Sequence, residues 1–156
     1  MRSLLFAAAA AIFAVGAHAD VTPYQPGAPR NSYGWTETQL DANRVRVSFR
    51  GNDDTPLERV EMYLLYRAAE TTLARGYDYF IVIDHNVETT TDFNAAGPPV
   101  PPFIPARRYH QDSRHQAVSD ILMQRGERPE SMTNAFDART VRANLAYLAH
   151  VNQAAR

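Results

Sequence analysis

Two elements with clear periodicity follow each other between residues 43 and 76. Residues 43–50 alternate strictly between polar and apolar side chains, which predicts a strand with one buried face. The apolar members of this strand are Val45, Val47 and Phe49. A capping box at residues 55–58 then begins a helix, and Gly76 is a natural stop for it. This segment predicts a strand with one buried face, followed by a helix that packs against the sheet.

The polar side chains of this strand and helix carry charges. Arginines at positions 44, 46 and 50 form a basic stripe on the second face of the strand. We predict either a solvated face or ion pairs with a neighbouring strand, and the alternative is an anion-binding face. On the helix, Arg67 and Glu70 lie three residues apart and predict a structural ion pair.

The remaining elements complete an α+β pattern. A second strand is predicted over residues 78–91, and its continuous apolar run, 79–83, is typical of a central strand. Residues 116–124 predict a third strand, with a short helix as the alternative, and Asn134 caps a last helix. The predicted order is β-α-β-β-α, a small mixed or antiparallel sheet with two helices packed on one face.

The N-terminal residues have the composition of an export signal. A basic start precedes an apolar run from Leu4 to Val15, and small residues lead up to Ala19. We predict cleavage after Ala19 and a periplasmic protein. The apolar run is shorter than the roughly 20 residues that a bilayer requires, so the mature form is predicted to have no transmembrane span.

The predicted domain plan follows from these boundaries. It comprises a cleavable signal peptide at 1–19, an extended N-terminal arm at 20–40 and a single α+β domain at 41–156. Tyr24, Tyr33 and Trp35 would let the arm lie against the domain through aromatic contacts. A proline-rich loop is predicted at 94–112.

One stretch has the spacing of a metal site. His110, Asp112 and His115 follow an H-x-D-x-x-H pattern that would supply two imidazoles and a carboxylate to one ion. Asp84 and His85, at the end of the second strand, would be able to join them. The alternative is that these residues are solvated side chains of a loop.

Composition excludes several classes of function. The chain has no cysteine, and all 16 of its basic residues are arginine, so thiol nucleophiles, Cys-ligated metals and Schiff-base lysines are excluded. The basic residues are balanced by 17 acidic ones, which argues against a nucleic-acid partner. No G-x-S-x-G elbow or other catalytic motif is present, and no cofactor is predicted.

Three stretches resemble a known family when they are taken together: 40–52, 60–80 and 125–145. They carry S-F-x-G-N, Y-L-L-Y-R-A-A-E with G-Y-D-Y-F, and F-D-A-R. The resemblance is to small bacterial cell-envelope proteins with no assigned activity, many of them described as lipoproteins. It implies an envelope location and a strand at 116–124, and it transfers no catalytic residue. Lipoprotein members have a cysteine at the cleavage site, where this chain has Ala19-Asp20, so a soluble periplasmic form is implied.

These observations lead to a prediction of function. We expect a periplasmic, non-enzymatic binding or scaffolding protein of the cell envelope, with an envelope protein as partner. The alternative is a small-ligand or metal-binding module that uses the loop with His110, Asp112 and His115. An enzyme is the third possibility, and it requires a deep pocket around Arg46, Arg67 or Glu70.

Overall fold

A computed structural model describes residues 21–28, 32–96 and 108–151. In these ranges, five strands form one antiparallel sheet and two helices pack against it. The elements are β1 (Gly34–Asp41), β2 (Arg44–Arg50), α1 (Leu57–Ala74), β3 (Tyr79–Ala96), β4 (Arg108–Gln124), β5 (Ala135–Asp137) and α2 (Ala138–Val151). The order across the sheet is β1-β2-β4-β3-β5. The predicted α+β class is confirmed.

The sheet has two strands that the sequence analysis did not predict. β1 takes residues 34–41, most of which fall in the range predicted as the N-terminal arm. β5 is only three residues long, too short to show a period. The central strand is β4, which pairs with β2 and β3, and the more apolar β3 lies beside the short edge strand β5, which covers only residues 79–81.

The core lies between the sheet and the helices. The three apolar residues of the alternating strand β2 are fully buried, as predicted. Tyr63 of α1 is also fully buried, and its ring centroid lies 4.9 Å from that of Phe49 and 5.5 Å from that of Tyr24. The Tyr63 hydroxyl donates to the backbone carbonyl of Leu148 at 3.2 Å. One side chain thus joins β2, α2 and the N-terminal segment.

The N-terminal segment 21–28 is fixed to the domain by specific contacts. The backbone N–H of Thr22 donates to Thr55 Oγ1 at 2.8 Å, and Thr22 Oγ1 accepts from the N–H of Asn52 at 2.8 Å. The Tyr24 ring packs edge-on against Tyr66. The segment therefore lies against the domain through Tyr24, as the aromatic pattern predicts.

β3 and β4 extend well beyond the rest of the sheet. Their pairing runs to Ala96 and Arg108, so strand occupies both ends of the range 94–112 that was predicted as loop. β2 accompanies β4 only as far as Gln116. Beyond that point, β3 and β4 form a two-stranded ribbon. The prolines of the predicted loop lie outside the described residues. In the part of the chain that the structure describes, no helix combines the length and the apolar character needed to cross a membrane.

The open face of the sheet carries the predicted ion pairs. Arg46 of β2 donates to both carboxylate oxygens of Asp120 on β4, from Nε at 2.6 Å and from Nη2 at 2.9 Å. Near the base of the ribbon, Arg114 donates to Asp53 at 2.7 Å and also to Asp92. The basic stripe therefore pairs across strands at Arg46, which is one of the two outcomes that the structural interpretation of the sequence allowed.

The paired carboxylates predict how stability depends on pH. Hydrogen bonds from Arg46 hold the pKa of Asp120 below its usual range, and the backbone N–H groups of Gly126 and Thr140 do the same for the pKa values of Asp78 and Asp137. The contribution of such groups is complete above the ordinary carboxyl pKa of about 4 and is lost as the pH falls through the lower folded value. We expect the free energy of unfolding to decline below about pH 4 for this reason.

The measurement is urea unfolding followed by circular dichroism across pH 2 to 7, roughly the range over which carboxyl groups titrate. Asp120→Asn should reduce stability at neutral pH and make the acid decline shallower. Asp54→Asn, at an exposed position, is the matched control and should follow the parent chain. An unchanged acid slope in Asp120→Asn would contradict the argument.

Candidate functional site

An apolar cleft of about 410 Å³ opens between α1, the start of β3 and the residues that lead into β5. Its walls combine aliphatic and aromatic side chains with a few polar ones. The lining residues are Glu61, Leu64, Leu65, Val82, His85, Ser119, Thr133, Asn134 and Phe136. A concave, mainly apolar site of this size with few polar groups is typical of small-molecule binding.

A β-bulge positions the histidine of this cleft. The pairing of β3 with β4 slips by one residue between Val82 and Asp84, so Ile83 has no partner on β4. The extra residue reverses the alternation of side chains beyond it. His85 therefore lies on the helix-covered face of the sheet, directly opposite Ser119. Without the bulge, position 84 would place a carboxylate there.

Three polar side chains form a row along one wall of the cleft. Ser119 Oγ lies 2.8 Å from His85 Nδ1, and His85 Nε2 lies 3.6 Å from Glu61 Oε1. Ser119 is only 4% exposed, whereas the side chains of His85 and Glu61 are each 41% exposed. The row thus runs from the buried sheet to the mouth of the cleft.

The same three residue types occur in hydrolytic triads, where a base activates a serine. Catalysis also requires that substrate can reach the serine and that donors face the developing oxyanion. Ser119 is almost completely covered, and its hydroxyl is engaged with His85. The groups that a ligand can reach are the His85 ring and the Glu61 carboxylate, so this geometry favours recognition over nucleophilic attack.

The wall opposite α1 is fixed by its own hydrogen bonds. The N–H of Val82 donates to the Asn134 carbonyl at 2.9 Å, and Asn134 Nδ2 donates back to the Val82 carbonyl at 3.0 Å. Phe136 stacks on Phe80, with 5.5 Å between the ring centroids. These contacts fix the position of this wall relative to β3.

A second cleft, of about 450 Å³, surrounds the predicted pair of Arg67 and Glu70. Arg67 donates to Glu37 at 2.7 Å and to Glu70 at 3.3 Å, and its guanidinium carbon lies 3.4 Å from the centroid of the Trp35 ring. The Tyr24 hydroxyl also donates to Glu70, and burial, with Glu70 as a further cause, raises the pKa of Tyr24. These charges are paired with one another, so the cluster fastens β1 and the N-terminal segment to α1, as the structural interpretation of Arg67 and Glu70 predicts.

The residues of the predicted metal site lie in strand β4 rather than in a loop. Asp112 and His115 are three positions apart in an unbroken strand, which places them on opposite faces of the ribbon. His115 Nδ1 instead lies 3.0 Å from Thr89 Oγ1. The side chain of His110 lies outside the described residues. Among the residues that are described, no group of three potential metal ligands comes together, so this site gains no support and stays a prediction.

Sequence reasoning missed most of the cleft. Glu61, His85 and Ser119 are far apart in the chain, and only His85 drew attention, as a possible metal ligand. No local pattern joins the three, since the helix and the two strands bring them together only in the fold. The only signal was indirect: a histidine and a serine in strands that also contain long apolar runs.

Comparison with known proteins gives no further guidance. No protein family matches the chain, no curated protein is similar enough to count as a relative, and no solved structure matches the fold. The resemblance to envelope proteins therefore stays a prediction. The cleft itself is the feature from which a function can be inferred.

Proposed function

We propose that this protein is a non-enzymatic binding protein whose ligand is a small molecule with an apolar body and one polar end. The observation that carries this proposal is the row Glu61–His85–Ser119 on one wall of an otherwise apolar cleft. A volume of about 410 Å³ lies within the range of ligand pockets. The site is also partly open, so a ligand can enter without a large rearrangement of the backbone.

The chemistry of the lining defines the ligand class. Leu65, Val82 and Phe136 offer apolar surface to the apolar body of the ligand, and the burial of that body supplies the main part of the affinity. Glu61 is a hydrogen-bond acceptor at the mouth of the cleft. A hydroxyl or an ammonium group on the ligand would donate to it, whereas a carboxylate would be repelled. An alcohol or amine with a short aliphatic chain is the simplest molecule of this class.

We place this binding in the bacterial cell envelope. Support for the location comes from the signal-like residues 1–19 and from the resemblance to envelope proteins. An envelope protein as partner remains part of the proposal, as a molecule that delivers or receives the ligand. The ribbon of β3 and β4 offers an additional surface for such a contact.

The test compares three probes with the same chain length: octylamine, octanol and octanoate. Each is titrated into the ¹⁵N-labelled chain from Asp20 to Arg156, which contains every described element, and amide shifts are followed by NMR. We expect octylamine and octanol to move the signals of Val82, His85 and Ser119, and octanoate to bind least. Glu61→Gln should weaken octylamine about tenfold, because a hydrogen bond to a charged group is lost, and should leave octanol nearly unchanged.

A variant that fills the cleft separates this site from general hydrophobic adsorption. Leu65→Trp should weaken octylamine and octanol by at least about tenfold, because the larger side chain occupies the space of the ligand. Leu40→Trp, at an exposed leucine of β1, is the matched control and should bind like the parent chain. Binding that is absent, or that is equal in the two tryptophan variants, would overturn the proposal.

A further inference from the structure

One edge of β3 is unpaired over most of its length. β4 follows β3 on one side from Tyr79 to Ala96, whereas β5 covers the other side only over residues 79–81, with one further backbone bond at Val82. From Ile83 onward, no described strand pairs with this second edge. Ile83 itself is 49% exposed. The edge is therefore a row of backbone donors and acceptors without a strand partner among the described residues.

The bulge determines which residues present those groups. The N–H of Val82 points toward β5, where it donates to Asn134. Backbone groups alternate between the two edges of a strand, and the bulge at Ile83 adds one residue to the count. The N–H and C=O groups of His85, Val87, Thr89 and the odd-numbered residues after them thus face the free edge.

This edge carries three acidic side chains, Asp84, Glu88 and Asp92, but lacks the other features with which proteins commonly prevent pairing. Edge strands are commonly protected by charged side chains, above all lysine, by proline or by a bulge. Residues 84–96 contain neither proline nor lysine, and their register with β4 is unbroken. Val87 and the three threonines at 89–91 favour extended structure. The edge is built as a regular template for another strand.

We propose that two copies of this chain associate through the free edges of β3, antiparallel, about a two-fold axis at Thr89. With such an axis, the numbers of two paired residues always add up to twice the number of the residue on the axis. Residues on the same face of the sheet then lie opposite each other, so that each face continues across the interface. Centred on Thr89, the pairing runs from Ile83 opposite Ala95 to the reciprocal pair, which uses nearly the whole free edge. The two ribbons then form the strand order β4-β3-β3-β4.

Charge and the length of the paired stretch together select this register. Asp84, Glu88 and Asp92 lie on the same face of β3, and axes centred on positions 86, 88 or 90 would set carboxylates directly opposite each other, which is destabilising. The axis at Thr89 places Asp84 opposite Asn94, Glu88 opposite Thr90 and Asp92 opposite Asn86. Axes at Val87 or Thr91 also avoid like charges, but they pair a shorter stretch of the edge.

A second copy is a fitting occupant because each copy has an unpaired edge of β3 that the other copy can pair. Beyond the Thr89–His115 pair, the ribbon consists of two strands only. Two-stranded ribbons are marginal in water and gain stability when further strands join them. Each copy would supply that strand to the other, with identical backbone bonds in both directions.

The register gives a test at a single position, where a negative charge should weaken self-association and a positive charge should strengthen it. Asn86 is exposed and lies opposite the partner's Asp92 in this pairing. Asn86→Asp should weaken self-association about tenfold, because two like-charge pairs appear per dimer, and Asn86→Arg should strengthen it by a similar factor. Sedimentation equilibrium of the chain from Asp20 to Arg156 measures both dissociation constants, and circular dichroism confirms that each variant is folded.

Asn144, exposed on α2, provides the matched controls Asn144→Asp and Asn144→Arg, which should leave the dissociation constant unchanged. A chain that stays monomeric up to its solubility limit would overturn the proposal. So would a dimer that responds equally to substitutions at positions 86 and 144, or one that is weakened by both charges at position 86. In the last case, the edge would be better assigned to a different register or to an extended segment of another protein.

Discussion

Replacing Tyr63 by alanine is expected to lower the free energy of unfolding by about 3–5 kcal/mol, the range found when large aromatic side chains are removed from cores. Tyr63 is fully buried, and its ring contacts Phe49 of β2 and Tyr24 of the N-terminal segment. Its loss would leave a cavity at the point where the sheet, α1 and α2 meet. The two helices and the sheet would then lose the side chain that contacts all of them.

Tyr63→Phe separates the ring from its hydroxyl. The hydroxyl donates to the Leu148 carbonyl in a buried setting, so removing it alone should cost about 1 kcal/mol. Urea unfolding followed by circular dichroism measures both variants. Tyr147→Ala is the control, because that tyrosine is 58% exposed on the neighbouring helix and should change stability by no more than about 0.5 kcal/mol. A Tyr63→Ala loss as small as that of Tyr147→Ala would contradict the described core.

The second large effect is expected at Gly51, between β2 and α1. A Cβ at this position would lie 2.7 Å from Thr55 Cβ and 3.0 Å from Val60 Cγ2. Thr55 cannot easily move, because it is buried and accepts the N–H of Thr22. Gly51→Ala is therefore expected to cost about 3 kcal/mol, at the upper end of the usual range for overpacking.

Gly76→Ala is the informative comparison for the loss of stability expected in Gly51→Ala. Gly76 has a φ of +75° but open space around it, so alanine there meets backbone strain without a clash. Its cost should be about 1 kcal/mol. Thermal and urea unfolding of the two variants distinguish the causes. If Gly76→Ala were the more destabilising of the two, the close packing around Gly51 would be refuted.

The sequence predicted the parts of the fold that have a local signature. The alternation in β2 and the residue pattern at 55–58 gave the first strand and helix close to their observed bounds, although Pro56 rather than Thr55 is the N-cap of α1 and no side chain caps it. β1 escaped notice because its covered face carries Trp35, Glu37 and Gln39, of which only the first is apolar. A polar residue can face a helix when that helix supplies a partner, as Arg67 does for Glu37. No pattern of hydrophobicity reveals such a strand.

The candidate site was less accessible to sequence reasoning than the fold. The spacing of Asp112 and His115 suggested a shared ion under the assumption of a loop, and strand geometry separates the two side chains instead. His85 and Ser119 meet because a bulge changes which face His85 occupies. Bulges have no dependable sequence signal in a continuous apolar run such as 79–83, so the partner of His85 was not predictable.

The bulge at Ile83 also acts on everything that follows it in β3. It shifts the alternation of the strand by one position: if Ile83 took a regular place in the ladder opposite Asp120, every residue from Asp84 onward would change face. The acidic positions 84, 88 and 92 would turn toward the helix side, and His85 would leave the cleft. Ligand recognition and the charge register of the edge therefore depend on the same bulge, and flattening it while keeping Ile83 would change both surfaces at once.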